Sequence, residues 1–266
     1  MISIVTSYFN RRTQFINTLR SLTLSKIKDF EVIAVDDGSD DEHNIDDLEI
    51  QFKFLKVIRV EKRDKWYYNP CIPFNLAFSK CSGDKIIIQN PECLHYSDIL
   101  TKTEESLNDE NYLSFATYSL NKTESEKLNK FHKIQDFFND FKFINKSIEI
   151  NGDSGWYNHG IYRPCALHFC SAITRKNLKD LNGFDESYAL GICYDDNEFL
   201  HRIILKKLNI IFQNNHIAVH QFHENFNYNK AESQKLEYRN NVLYSYISKK
   251  SSEIRAKNRN QNIIDK

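Results

Sequence analysis

Several short stretches of this 266-residue chain carry side chains that could do chemistry together. Asp36 and Asp37 close the apolar run that starts at Phe30, so paired carboxylates stand where a buried strand meets a turn at Gly38. The run "KIIIQ" leads into Asn90, Pro91 and Glu92, an amide and a carboxylate held by a proline that cannot continue a strand. Asp195 and Asp196 open an amphipathic run, and His220 and His223 follow an apolar stretch as an H-x-x-H pair. Carboxylates accept protons or hold hard cations, and an H-x-x-H pair near a carboxylate can bind a cation. Each stretch also has a plainer account. "DDGSDDE" is ordinary turn chemistry, acidic residues in a first helical turn complement the dipole, and histidines serve in cores. The aromatic loop Gly152–Pro164, with Trp156, Tyr157, His159 and Arg163, can stack on a ligand or anchor itself to the body.

The elements that must position these residues alternate as βαβ units. Ile2–Tyr8 reads as a strand and Thr13–Ser25 as a helix, with Phe15, Ile16, Leu19 and Leu22 at helical spacing. Phe30–Asp41 is a strand opening into an acidic loop, Phe54–Glu61 a third strand, Cys71–Cys81 a helix, and Lys85–Gln89 a fourth strand. These predict an open, doubly wound α/β sheet, whose ligands bind outside the carboxyl ends of the strands. Thr6–Tyr8, Asp36–Ser39 and Asn90–Glu92 are therefore expected on one edge. Farther on, the expectations are a helix at Ser97–Leu107, a strand at Tyr112–Leu120 and a charged, aromatic excursion over Asn121–Ile150. Leu167–Glu186 reads as strand, short helix and Gly-Phe-Asp turn; Tyr194–Leu208 as a helix; Ile210–Asn225 as a strand. From Asn229 to the end a helix packed on the body, with a frayed tail, is expected.

Basic and acidic residues balance, 36 against 36, which argues against a broad nucleic-acid or membrane surface. The six cysteines form no C-x-x-C pair, so a structural zinc site is not expected. The sequence shows neither a signal peptide nor a membrane-length apolar segment, and reduced thiols in a cytosol-like compartment are expected.

In this order, "SIVTSYFNR", "VIAVDDGS", "GDKIIIQNPE" and "GFDE" followed by "YDDNEFLHR" resemble the family-2 glycosyltransferases of the GT-A fold. The resemblance runs from about Ile2 to His223. It implies a Rossmann-like open mixed sheet with helices on both faces, over residues 1–228. Residues 1–107 would be the nucleotide-binding half, 108–228 the acceptor-binding and catalytic half, and 229–266 a C-terminal helical tail. It implies a glycosyltransferase moving a sugar, hexosyl or N-acetylhexosaminyl, from a nucleotide-sugar donor, UDP-linked, to a hydroxyl of a glycan or glycoprotein, with inversion. By resemblance Asp196 is the base beside Asp195. Thr6, Tyr8, Asp36, Asp37, Arg63 (or Lys65), Asn75 and Asn90 meet the donor nucleotide. The aromatic loop around Trp156, Tyr157, His159 and Arg163 becomes the acceptor site. The family's paired metal aspartates fall on Asn90 and Glu92, so Mn²⁺ or Mg²⁺ would rest on Glu92, His223 or His220, and Asn90. Two rivals stay open: a non-catalytic glycan-binding relative and a nucleotidyltransferase-type enzyme.

Overall fold

The computed structural model describes residues 1–148, 152–224 and 229–258. The ends of three expected elements, at 149–150, at 225 and beyond 258, lie outside the described residues. The first half runs β1 (Ile2–Tyr8), α1 (Arg12–Leu22), β2 (Phe30–Asp36), α2 (Leu48–Gln51), β3 (Leu55–Arg59), α3 (Cys71–Lys80) and β4 (Lys85–Gln89). Then come β5 (Cys93–His95), α4 (Ile99–Ser106), β6 (Asn111–Ser119), α5 (Lys122–Leu128), α6 (Ile134–Phe138) and β7 (Gly155–Asn158). The chain continues through β8 (Cys170–Thr174), α7 (Arg175–Leu181), α8 (Asp195–Leu205), β9 (Asn209–His220) and α9 (Lys230–Tyr246).

Among the described residues, nine strands form one mixed sheet in the order β3-β2-β1-β4-β8-β6-β9-β5, with β7 beside β6. β3, β2, β1 and β4 are parallel, so all four deliver their carboxyl ends to one edge. β8 runs antiparallel to β4 and brings the residues before it to that same edge: the amide of Asn90 donates to the carbonyl of Phe169 at 3.1 Å. β1 shows why helices cover both faces. Its side chains alternate, Ile2 and Ile4 packing with Phe15 and Leu19 of α1, Val5 with Phe74 and Phe78 of α3. Ser3, on the face of Val5, is buried as well, its hydroxyl donating to Glu31 at 2.7 Å.

The structure departs from expectation at β7 and adds detail at β6 and α9. β6, whose sequence alternates, is buried along its whole length: β8 and β7 flank one edge, β9 the other, and its side chains enter all three core clusters. The aromatic segment read as a loop supplies β7, whose Trp156 joins Tyr118, Phe137 and Phe138 in a third core cluster. The C-terminal helix α9 packs on the chain before α8: Ile192 donates its amide to the carbonyl of Leu236 at 3.3 Å. No described helix is long and apolar enough to cross a membrane.

Candidate active site

A cleft of about 700 Å³ opens at the carboxyl edge of the parallel strands, at the switch between β1 and β4 where such sheets leave a crevice. Asn90 and Pro91 line it after β4, Asp37 after β2, Phe9 and Arg11 after β1, and Asp195 and Asp196 from the start of α8.

The Asn90–Pro91–Glu92 corner divides its work. Asn90 and Pro91 line the cleft, and a tight turn carries the amide of Cys93 back to the carbonyl of Asn90 at 3.1 Å. Glu92 is 1% exposed. One of its oxygens receives Arg11 Nη1 at 2.9 Å; the other lies 3.0 Å from His220 Nε2 and 3.5 Å from His223 Nε2. Burial opposes ionisation of Glu92, yet Arg11 and the two imidazoles hold its carboxyl well below the usual range. Burial pushes His220 down, towards the neutral ring that ligates metals.

One ligand atom from each of Glu92, His220 and His223 lies within 4.8 Å of the others, and Nδ1 of His220 is buried without a hydrogen-bond partner among the described residues. Two imidazoles and a carboxylate converging in a buried corner fit a divalent transition-metal cation. Both histidines also border a smaller cavity of about 190 Å³ with Tyr157 and Phe222.

The two aspartates at the end of β2 point to different tasks. Asp36 is wholly buried, accepts the Ser39 amide at 2.9 Å and pairs with Arg59 at 2.9 Å, which locks the turn that Gly38 makes at φ +76°. Asp37 lines the cleft, with Lys65 Nζ and the Tyr67 hydroxyl each donating to it at 2.6 Å. Burial lifts its carboxyl against the pull of Lys65.

Other expected donor contacts stand elsewhere. Thr6 is buried within β1, and Tyr8 spends its hydroxyl on the carbonyl of His43 at 2.7 Å. Asn75 is buried, trading hydrogen bonds of 2.9 Å with the backbone of Phe184, which fixes the Gly-Phe-Asp turn. Arg63 is exposed and borders a separate depression with Arg59 and Lys62. Lys65 and Arg11 are the cations the cleft presents. Arg11 carried no motif signal, because its closeness to Glu92 spans 81 positions of sequence.

Asp195 and Asp196 owe their placement to an unusual turn. Cys193 and Tyr194 both take left-handed backbone, φ 60° and 67°, a region that residues with side chains rarely enter. α8 then starts with Asp195 buried and Asp196 half-buried on the cleft. Asn69 donates to Asp195 Oδ1 at 2.9 Å, and the Asn197 amide donates to Asp196 Oδ1 at 2.8 Å. Burial, then the neighbouring charge of Asp196, pushes Asp195 up to about 6; burial also raises Asp196. Glu198 faces inward to a buried bidentate pair with Arg202, at 2.6 and 2.8 Å.

None of the four expected acceptor residues lines the large cleft. Trp156 is 3% exposed and meets Tyr118 edge-on at 5.1 Å; His159 packs on Trp156 at 4.5 Å. Tyr157 stacks on Phe169 at 4.6 Å and borders the smaller cavity. Arg163 donates to the carbonyl of Tyr157 at 2.7 Å, and its charge reaches Asp196.

The sheet and cleft define a GT-A fold, and comparison with known proteins agrees. The model for glycosyltransferase-like family 2 matches residues 3–231, so the chain belongs to that family and is a glycosyltransferase. No curated protein sequence matches it. Among solved structures, GalNAc-T7 with UDP, GalNAc and Mn²⁺ is 13% identical over 94% of this chain and 49% of that one, TM-score 0.63. S. aureus TarS 1–349 is 15% identical over 94% of this chain and 73% of that one, TM-score 0.57. The mannosyltransferase PcManGT from Pyrobaculum calidifontis, in complex with GDP-Man and Mn²⁺, is 15% identical over 82% and 56%, TM-score 0.53. The chain thus spans about half the length of two of these three neighbours.

Proposed function

We propose that the chain transfers a sugar from a nucleoside diphosphate sugar, UDP-linked, to a hydroxyl of a glycan or glycosylated protein, inverting the anomeric centre. The observation that carries this reading is that Asp196, a carboxylate raised by burial, lines the same cleft as Asn90, Asp37, Arg11 and Lys65. Asp196 takes the proton of the acceptor hydroxyl as its oxygen bonds to the anomeric carbon and the bond to the diphosphate oxygen breaks. A base with a raised pKa holds that proton more readily than an ordinary aspartate. Asp37 accepts a hydrogen bond from the nucleoside. Arg11 and Lys65 supply positive charge along the diphosphate side of the cleft.

Mn²⁺ or Mg²⁺ on Glu92, His220 and His223 would add positive charge where the leaving diphosphate gathers its negative charge. The imidazoles favour Mn²⁺ over Mg²⁺, which prefers an all-oxygen shell. Glu92 and the two histidines orient one another before any ion arrives, and Arg11 holds the remaining carboxylate oxygen. Neighbours of the same fold were solved with GDP-Man and Mn²⁺ and with UDP-GlcNAc, which supports a nucleotide-sugar donor.

The test is a panel of UDP- and GDP-sugars incubated with the protein and Mn²⁺, reading nucleoside diphosphate release with and without glycan acceptors. Turnover of one donor that rises with an acceptor supports the proposal; no turnover of any donor contradicts it.

A further inference from the structure

We propose that Asn240, on the C-terminal helix α9, is a positioning residue for the reaction: its side-chain amide fixes the turn that presents Asp195 and Asp196 to the cleft. The inference rests on the reading of that cleft as a sugar-transfer site.

Asn240 is wholly buried. Its Nδ2 donates to the carbonyls of Tyr188 and Cys193, each at 3.0 Å, and its Oδ1 accepts from Arg239 at 2.9 Å. The two carbonyls bracket the loop before α8. From the other side Asn69 Nδ2 reaches the same Cys193 carbonyl at 3.3 Å and Asp195 Oδ1 at 2.9 Å. The carbonyl between the two left-handed residues is therefore gripped by two asparagines, Asn69 and Asn240.

That grip answers a physical need. Two successive left-handed residues with side chains cost conformational energy and persist only where the surroundings hold them. Cys193 and Tyr194 are such a pair, and α8 begins directly after them. The loop lies flush on α9. A Cβ on Gly191 would stand 2.3 Å from Asn240 Oδ1 and 2.6 Å from the Leu236 carbonyl. Asn241 adds a bond of 2.7 Å to the Tyr194 hydroxyl. By contrast, Asp37 is held by different donors, Lys65 and Tyr67, rather than by the Asn240 amide. Loss of the Asn240 grip should misplace the proton acceptor and leave donor binding intact.

The experiment measures kcat and the donor KM of the full chain carrying Asn240→Ala or Asn240→Asp, below each variant's melting midpoint, with the nucleotide sugar the panel selects. Aspartate keeps the shape but cannot donate. The expected result is a kcat lower by about tenfold or more with an unchanged donor KM, since small misplacements of reacting groups carry such costs. Cys193→Gly added to Asn240→Ala should recover part of the loss, because glycine enters the left-handed region without strain. Should the Asn240 variants fail to fold, Gly191→Ala lifts the loop off α9 by another route and should show the same split. An unchanged kcat in a folded variant, or kcat and KM moving together, overturns the inference. Asp196→Asn runs alongside: a wild-type rate there sinks the reading of the site. Loss there with full kcat in the Asn240 variants sinks only the positioning role.

Discussion

Nε2 of His220 lies 3.0 Å from Oε1 of Glu92, although 128 positions separate them in the chain. The pairing of β5 with β9 makes this contact, since Cys93 lies opposite His220 in the ladder. A three-residue strand thus brings the carboxylate after β4 beside His220 at the end of β9 and His223 just beyond it.

If the Glu92–His220–His223 corner binds a divalent ion, Mn²⁺ will raise the melting midpoint of the wild-type protein and not that of Glu92→Gln or His220→Ala. Binding to the folded state alone stabilises by about 2.7 kcal/mol at a hundredfold excess over Kd. Equal shifts in all three proteins would remove the ion from this corner.

Asp195 predicts a trade between stability and activity. Its carboxyl is raised from an ordinary value to about 6, so the folded state binds its proton more tightly than the unfolded chain. That stabilisation is complete below the unfolded pKa and is lost as pH rises through about 6. Asp195→Asn should therefore stabilise the protein at pH 7.5 by up to about 3 kcal/mol, an advantage that closes near pH 4, while turnover falls. Urea titrations at the two pH values measure it.

Turnover itself should fall in acid as protons fill the Asp195–Asp196 pair, both of whose carboxyls burial raises. Arg163, whose charge reaches Asp196, opposes that protonation, while burial holds His168 beside Asp195 towards its neutral form. A kcat profile flat down to pH 4 would rule the pair out as proton acceptor.

Glu198, adjacent in sequence but turned inward, should behave differently. Glu198→Ala leaves Arg202 buried without its carboxylate and should cost about 3–5 kcal/mol of stability. Chemical denaturation reads the loss.

The strands and helices of the first half were legible because continuous apolar runs and helical spacing are local signals: β1 and β4 begin and end where the residues predict. The convergence of Asp37 and Asn90 followed from topology alone. Asn75 and Trp156 were misleading for one reason, while exposed Arg63 borders a different depression. Side-chain type says that a group can bind a ligand, but packing decides whether it faces one. Asn75 is turned onto the Phe184 backbone and Trp156 into an aromatic core. The Cys193–Tyr194 turn and the grip of Asn240 had no signature, since neither residue of the left-handed pair is glycine.

The most direct measurement is the transfer rate of Asp196→Asn beside the wild type, with the selected donor, an acceptor and Mn²⁺. The account predicts that the variant still binds nucleoside diphosphate and loses about 10²- to 10⁴-fold in kcat, the worth of a positioned base. A variant that transfers sugar at the wild-type rate would contradict it.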